Sequence, residues 1–397
     1  MNVRDVIDNS PTDLADPAPH PAIGRRALLQ GAAMVAGLSL AGSSLAWAKG
    51  ADYSKRAIRI VESAGAIDML APLTINDVEQ ERWCNSADGM TQSELATFRD
   101  CGIKVFHYSV GLGGPDAYTD ALIYFATINA FIARYSDQFV RVGRVRDLEM
   151  LRNSTKTGVI PGLQNSEHFR TPADVALFYK LGQRVSLLTY NTQNNLGCGC
   201  TERHDCGITD FGAAIIEKMN AVGMLVDVSH CGDMTTMEAF EISKKPVAIT
   251  HSNCRALVNH PRLKTDDAIR KMAATGGVMG ITGVRMFVKG EEPTTIEHIV
   301  DHVDHVAKLV GVEHVGIGTD SDLSGYDALP ADQLKALKSY YKQSYAFRDR
   351  LDIEGFDHPR KIFDMTEALL RRGYGDENIV GILGGNFRRM LAMVWEN

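Results

Sequence analysis

Residues 223–252 read GMLVDVSHCGDMTTMEAFEISKKPVAITHS. Two short apolar runs, residues 224–228 and 246–250, each deliver a histidine just beyond their C-terminal ends, His230 and His251. Residues 234–243 between them have helical composition. The unit is therefore strand, helix, strand, with an imidazole at the end of each strand, where parallel α/β proteins carry their chemistry.

Working outward, the same alternation recurs along the chain, with apolar runs bounded by turn or polar residues and helical segments between them. Strands are expected over 57–68, 103–110, 157–164, 185–190, 224–228, 246–250, 277–282 and 314–320. Helices are expected over 125–135, 147–155, 172–181, 210–222, 234–243, 265–274 and 295–310, and beyond the last strand over 331–350, 364–372 and 386–394. Eight such units predict an α/β fold, a closed (β/α)8 TIM barrel with extra C-terminal helices, over residues 49–397. No glycine-rich phosphate fingerprint follows a strand, which argues against a dinucleotide-binding open sheet.

Residues 1–48 stand apart from this pattern. Gly24-Arg25-Arg26 leads into an apolar run at 31–45 that ends in Ala46-Trp47-Ala48. That order is an export signal of twin-arginine type, cleaved after Ala48, and it predicts a periplasmic or secreted protein. The run is too short and too rich in Gly and Ser for a good membrane span, and no later segment has eighteen consecutive apolar residues. The 397-residue chain has 45% hydrophobic and 23% charged residues and a net charge of -7, so no basic excess exists for nucleic acid. Of the seven cysteines, Cys231 follows His230 while Cys198, Cys200 and Cys206 lie in the loop after the preceding strand. A disulfide from Cys231 to Cys200 or a neighbour is one expectation, and buried thiols are the other.

In a barrel the strand C-termini share one rim, so the residues there form a set: Asp68, His107, Gln164, Tyr190, His230, His251, Asp320 and Asp322. Two histidines on adjacent strands can share a divalent metal, and a carboxylate at the last strand can exchange a proton with metal-activated water. His107 and His260 are read as hydrogen-bonded rim residues. Asp227 alternates to the face opposite His230, which makes it a structural carboxylate.

The runs 219–230, 246–252, His260-Pro261-Arg262, 316–322 and Gly384-Gly385-Asn386-Phe387 resemble the membrane (renal) dipeptidase family of zinc peptidases, over nearly all of the mature chain. The resemblance implies a (β/α)8 barrel with a two-zinc site that hydrolyses dipeptides, including those with a C-terminal D-residue, and a homodimer. By position, His230 and His251 match the ligands of one zinc, Asp320 the acid/base carboxylate and Arg262 the residue holding the substrate carboxylate.

The chain departs from that family where Ala66 replaces a metal-binding histidine, Gln164 a bridging glutamate and Tyr190 a substrate-binding histidine. Glu167 lies three residues beyond the bridging position. Asp68 and Gln164 are left as the residual ligands of the first site, a neutral amide being a poor one, so a single zinc ion is expected rather than two. Tyr190 can donate a hydrogen bond to the substrate carbonyl in place of the histidine. The function implied is an exported metal-dependent dipeptidase; the alternatives are a degenerate small-molecule-binding barrel, or a hydrolase of another small amide or lactam. Substrate choice is placed in loops 111–120 and 195–210. N-terminal sequencing of the exported protein is expected to begin at Lys49.

Overall fold

The structure is a computed structural model that describes residues 53–74 and 82–395 apart from 85, 87 and 88. The export signal expected over residues 1–48 lies outside these residues. Its strands are β1 (Ala66–Asp68), β2 (Ile103–Val110), β3 (Phe139–Arg141), β4 (Thr157–Leu163), β5 (Val185–Leu187), β6 (Leu225–Asp227), β7 (Val247–Ser252), β8 (Met279–Ile281) and β9 (Val315–Ile317). All pairings are parallel, in the order β2-β1-β9-β8-β7-β6-β5-β4, and β2 pairs with β4 to close the ring. Eight strands thus form the expected barrel, and all eight runs read from the sequence contribute one.

Two details of the strand assignment differ from the sequence reading. The run at 57–62 is not strand but part of a helix, Lys55–Ala64, whose buried Ala57, Ile60, Val61 and Ala64 recur at helical spacing. The Ser54 hydroxyl accepts from the Ala57 amide at its start, and Gly65 ends it at φ 55°, leaving only Ala66–Asp68 as strand. Second, β3 is an additional short strand. It shares one edge of β4 with β5, pairing Phe139 with Thr157 while Val185 pairs with Gly162. Unlike the other three-residue strands it is not buried throughout, running from a buried Phe139 to an exposed Arg141, so it leaves no continuous apolar run.

Most strands are buried along their whole length, as expected where helices cover the outside and side chains fill the inside. The interior is apolar at the N-terminal end, where Ile67, Val105, Ile160, Val185, Leu225, Ala248 and Val278 pack with Phe387, Met390, Leu391 and Val394. The last four belong to the C-terminal helix Asn386–Trp395, which stoppers that mouth. The Phe387 ring lies against Gly316, where an added Cβ would come within 2.2 Å of it. With this end sealed by hydrocarbon, polar side chains collect at the opposite end. Replacing Phe387 by Ala is expected to cost about 3–5 kcal/mol, read as a lower urea midpoint with an unchanged m-value.

Candidate active site

The ends of β6 and β7 are shaped by one carboxylate. Asp227 Oδ1 accepts from the Ser229 amide at 3.0 Å, the Ser229 hydroxyl at 2.6 Å and the Thr250 amide at 3.1 Å, and its Oδ2 accepts from the Thr250 hydroxyl at 2.5 Å. These bonds stand in for ladder bonds where the β7–β8 register shifts between Ile249 and Ser252. Such an irregularity redirects side chains near a site. The turned Thr250 carbonyl occupies space that a Cβ on either Gly280 or Gly318 would enter at 2.0 Å. Asp227 is thus the structural carboxylate that its strand position indicates.

His230 and His251 leave these strand ends and converge. Their Nε2 atoms are 2.9 Å apart, and the two rings are 2% and 0% exposed. His230 Nδ1 contacts Asn191 Oδ1 at 2.7 Å, and His251 Nδ1 contacts Thr250 Oγ1 at 2.8 Å. Burial lowers the basicity of both well below the usual imidazole range, and the positive charges of Arg262 and Lys264 push in the same direction. Both rings are therefore neutral at physiological pH, the form that binds metals.

Arg262 is fully buried behind the pair. Its terminal nitrogens donate to the carbonyls of Ser229 and His251, the second at 2.9 Å, and its Nε–H has no partner among the described residues. The guanidinium therefore ties the two histidine strands together while keeping a donor in reserve. Lys264, which the sequence reading passed over, donates to the Cys231 carbonyl at 2.8 Å and the Thr236 hydroxyl at 3.0 Å. Burial pulls its amine down to about 8. Only the fold shows that Lys264 turns inward.

Asp320 lies at the end of β9 with φ 55°, a left-handed conformation that non-glycine residues adopt rarely. Desolvation raises its carboxyl to about 7, opposed by Arg262 and reinforced by Asp68. Asn191, the partner of His230, also has positive φ at 61°, so backbone strain concentrates at this rim. Asparagine is among the residues most tolerant of that region, and Asn191 directly after Tyr190 is the signal that could have singled it out.

The positions expected for a first metal are used differently. Asp68 Oδ1 accepts from the amides of Leu70 and Thr319, and its Oδ2 from the Thr319 hydroxyl. Desolvation still lifts it to about 6. Gln164 donates from Nε2 to the Ser109 carbonyl at 3.2 Å, and its buried Oε1 has no partner among the described residues. Glu167 turns away to accept from the Gly114 amide and the Asn165 side chain. His107 hydrogen-bonds the Met69 carbonyl at 2.6 Å, and His260 contacts the Tyr345 carbonyl.

Tyr190 stacks on His230 with ring centroids 4.2 Å apart, and its hydroxyl meets that of Tyr341 at 2.8 Å. Tyr341 follows the helix Ala331–Tyr340, which is shorter than the 331–350 helix expected from the sequence. The 3-10 turn Gln343–Tyr345 comes next and places Tyr345 over His260. Lys342 anchors this segment to the loop after β5 through the Thr201 carbonyl and Glu202.

The anticipated disulfide is absent, although the loops do meet. Gly199 and Cys231 bridge through their backbones, and the Cys200 amide donates to the His230 carbonyl. The Cys231 sulfur accepts from the Thr189 hydroxyl and the Cys200 thiol donates to Asn191 Oδ1, so both cysteines are free.

The residues placed to hold a metal ion are His230 and His251. Two neutral Nε2 atoms face one another, whereas Asp68 is engaged by three hydrogen bonds and Ala66 offers no ligand. No group of three or more His, Cys, Asp or Glu suited to a metal occurs among the described residues. The ion would depend on His230 and His251, with its remaining positions filled by neutral oxygens or water.

A closed parallel barrel with paired imidazoles on adjacent strand ends and a carboxylate on the last strand defines the class of metallo-dependent hydrolase barrels. The chain belongs to the membrane dipeptidase family, peptidase family M19, whose model matches residues 55–341. It is 32% identical over 276 residues to dipeptidase verJ of Clonostachys rogersoniana, covering 68% of this chain and 63% of that relative. The chain therefore spans less than two thirds of that dipeptidase's length. Among solved structures, an amidohydrolase from Pseudomonas aeruginosa superposes with a TM-score of 0.74 at 27% identity, over 86% of this chain and 99% of that one. A Rhodobacter sphaeroides metallo peptidase, liganded with a phosphinate mimic of L-Ala-D-Ala, shares the fold with a TM-score of 0.68 at 16% identity, over 83% and 99%.

Since folding raises the Asp320 carboxyl from 3.8 to about 7, the native state binds more protons than the unfolded state between those values. This group therefore stabilises the fold increasingly as pH falls through that window and weakens it above. In metal-free protein, Asp320→Asn is expected to be more stable than the parent at pH 8, with the difference vanishing near pH 4 in urea titrations.

Proposed function

We propose that the protein is an exported metal-dependent dipeptidase, cleaving the amide bond of a dipeptide-like substrate with one zinc ion at His230 and His251. The observation that carries this reading is the convergence of two neutral imidazoles at 2.9 Å on the rim of a dipeptidase-family barrel. When bound, the ion lowers the pKa of a water to about 7 and polarises a carbonyl.

The chain's own residues supply the rest. Asp320, with its carboxyl near 7, accepts a proton from the nucleophile and returns it to the leaving amine, because its proton affinity is matched to the working pH. Arg262, with charge and an uncommitted Nε–H, attracts the substrate carboxylate. The Tyr190 hydroxyl, once released from Tyr341, donates to the carbonyl oxygen undergoing attack. Stacking of the Tyr190 ring on His230 covers one face of that imidazole. Acceptance of a C-terminal D-residue is supported by the ligand bound to the Rhodobacter sphaeroides relative.

Export through the Arg25-Arg26 signal would place the enzyme where small peptides are free in solution. Loss of three family site residues keeps a binding role as the competing outcome. Metal analysis with an L,L- and L,D-dipeptide screen separates the two, since a binder would retain neither metal nor turnover. His251→Ala is expected to lose bound metal and at least a hundredfold in kcat/KM; full turnover by the metal-stripped variant would refute the assignment. In the parent enzyme kcat/KM should fall as pH drops through about 7, and Asp320→Asn should remove that limb together with most of the activity.

A further inference from the structure

We propose that Asp227, acting through the Thr250 hydroxyl, and Asn191 are positioning residues that fix His251 and His230 as Nδ1–H tautomers, so that both Nε2 lone pairs point at one place. The argument is a count of hydrogens. A carboxylate can only accept, and Asp227 Oδ2 lies 2.5 Å from Thr250 Oγ1. Thr250 has one hydroxyl hydrogen, and Asp227 takes it. Thr250 Oγ1 is then an acceptor toward His251 Nδ1 at 2.8 Å, so that nitrogen carries the ring's hydrogen. His251 Nε2 is left with a lone pair.

The second ring is fixed independently. Asn191 Oδ1 lies 2.7 Å from His230 Nδ1, and an amide oxygen can only accept. His230 Nδ1 is therefore a donor, and its Nε2 also presents a lone pair. Two lone pairs facing one another at 2.9 Å repel unless a cation lies between them. Neither Asp227 nor Asn191 belongs to the set of ligands named above, yet together they dictate which atoms can ligate. Outer partners of metal-bound histidines act in this way, typically at a cost of about 10–100-fold in metal affinity when removed.

The tautomers follow from hydrogen bonds alone; only their consequence for metal rests on the proposed function. The test is side-chain nitrogen NMR of the metal-free protein with labelled histidine at pH 8.5, followed by Zn²⁺ titration. The parent should show protonated Nδ1 and bare Nε2 on both rings. Asp227→Asn adds a side-chain donor that can occupy Thr250 Oγ1, turning the hydroxyl hydrogen toward His251 and moving the ring hydrogen to Nε2. Zn²⁺ affinity should then fall about 10–100-fold. Thr250→Ser keeps the hydroxyl and should preserve both the tautomer and the affinity, which a merely volume-filling role would not require.

An Nε2–H signal from either ring in the parent, or a His251 tautomer unchanged in Asp227→Asn, would overturn the proposal. Should Asp227→Asn fail to fold, the parent spectrum and Thr250→Ser still decide. The predicted tautomers in a parent that takes up no Zn²⁺ would refute the metal reading and leave the positioning inference standing.

Discussion

The Asp227 carboxylate is the constraint on which the rim depends. Its bonds to Ser229 and Thr250 fix the ends of two adjacent strands, and the histidines that follow are placed by those ends. Burying a carboxylate is costly unless hydrogen bonds replace its hydration, and here four donors do so. The same bonds divert β7 from regular pairing, which brings the Thr250 carbonyl against Gly280 and Gly318. Stability and site geometry are consequently set by one group.

Around that group, charge is arranged to keep the imidazoles neutral. Arg262 and Lys264 are both buried, and each pays for its desolvation with hydrogen bonds to backbone carbonyls of the histidine-bearing segments. Their positive field suppresses protonation of His230 and His251. Asp320 answers from the last strand, with a carboxyl held near 7 by burial. Where the family resemblance leads one to expect another metal, Thr319 and Leu70 donate to Asp68, and these bonds join β1 to the end of β9.

Much of this was legible from residue order. Parallel strands buried on both faces leave continuous apolar runs, so each barrel strand had a signature, and helices such as Pro172–Leu181 and Asp210–Val222 matched to the residue. The run at 57–62 misled because Ile58, Ile60 and Val61 suit a strand by composition, while Ala57, Ile60, Val61 and Ala64 form the buried face of a helix. The partly exposed β3 leaves no continuous apolar run. The predicted 331–350 helix stops at Tyr340, and Tyr341 and Tyr345 turn inward instead to meet Tyr190 and His260.

By itself the sequence determined the barrel, the strand-end placement of His230, His251 and Asp320, and the face on which Asp227 lies. Those features follow from periodicity, which is local. Tertiary structure alone decided that the two Nε2 atoms meet, that Asn191 and Thr250 direct the ring hydrogens, that Lys264 is a buried cation and that Cys231 stays a thiol. Each of these depends on distances between residues far apart in the chain. Hydrogen-bond partnership and desolvation arise only when the strands close into a ring.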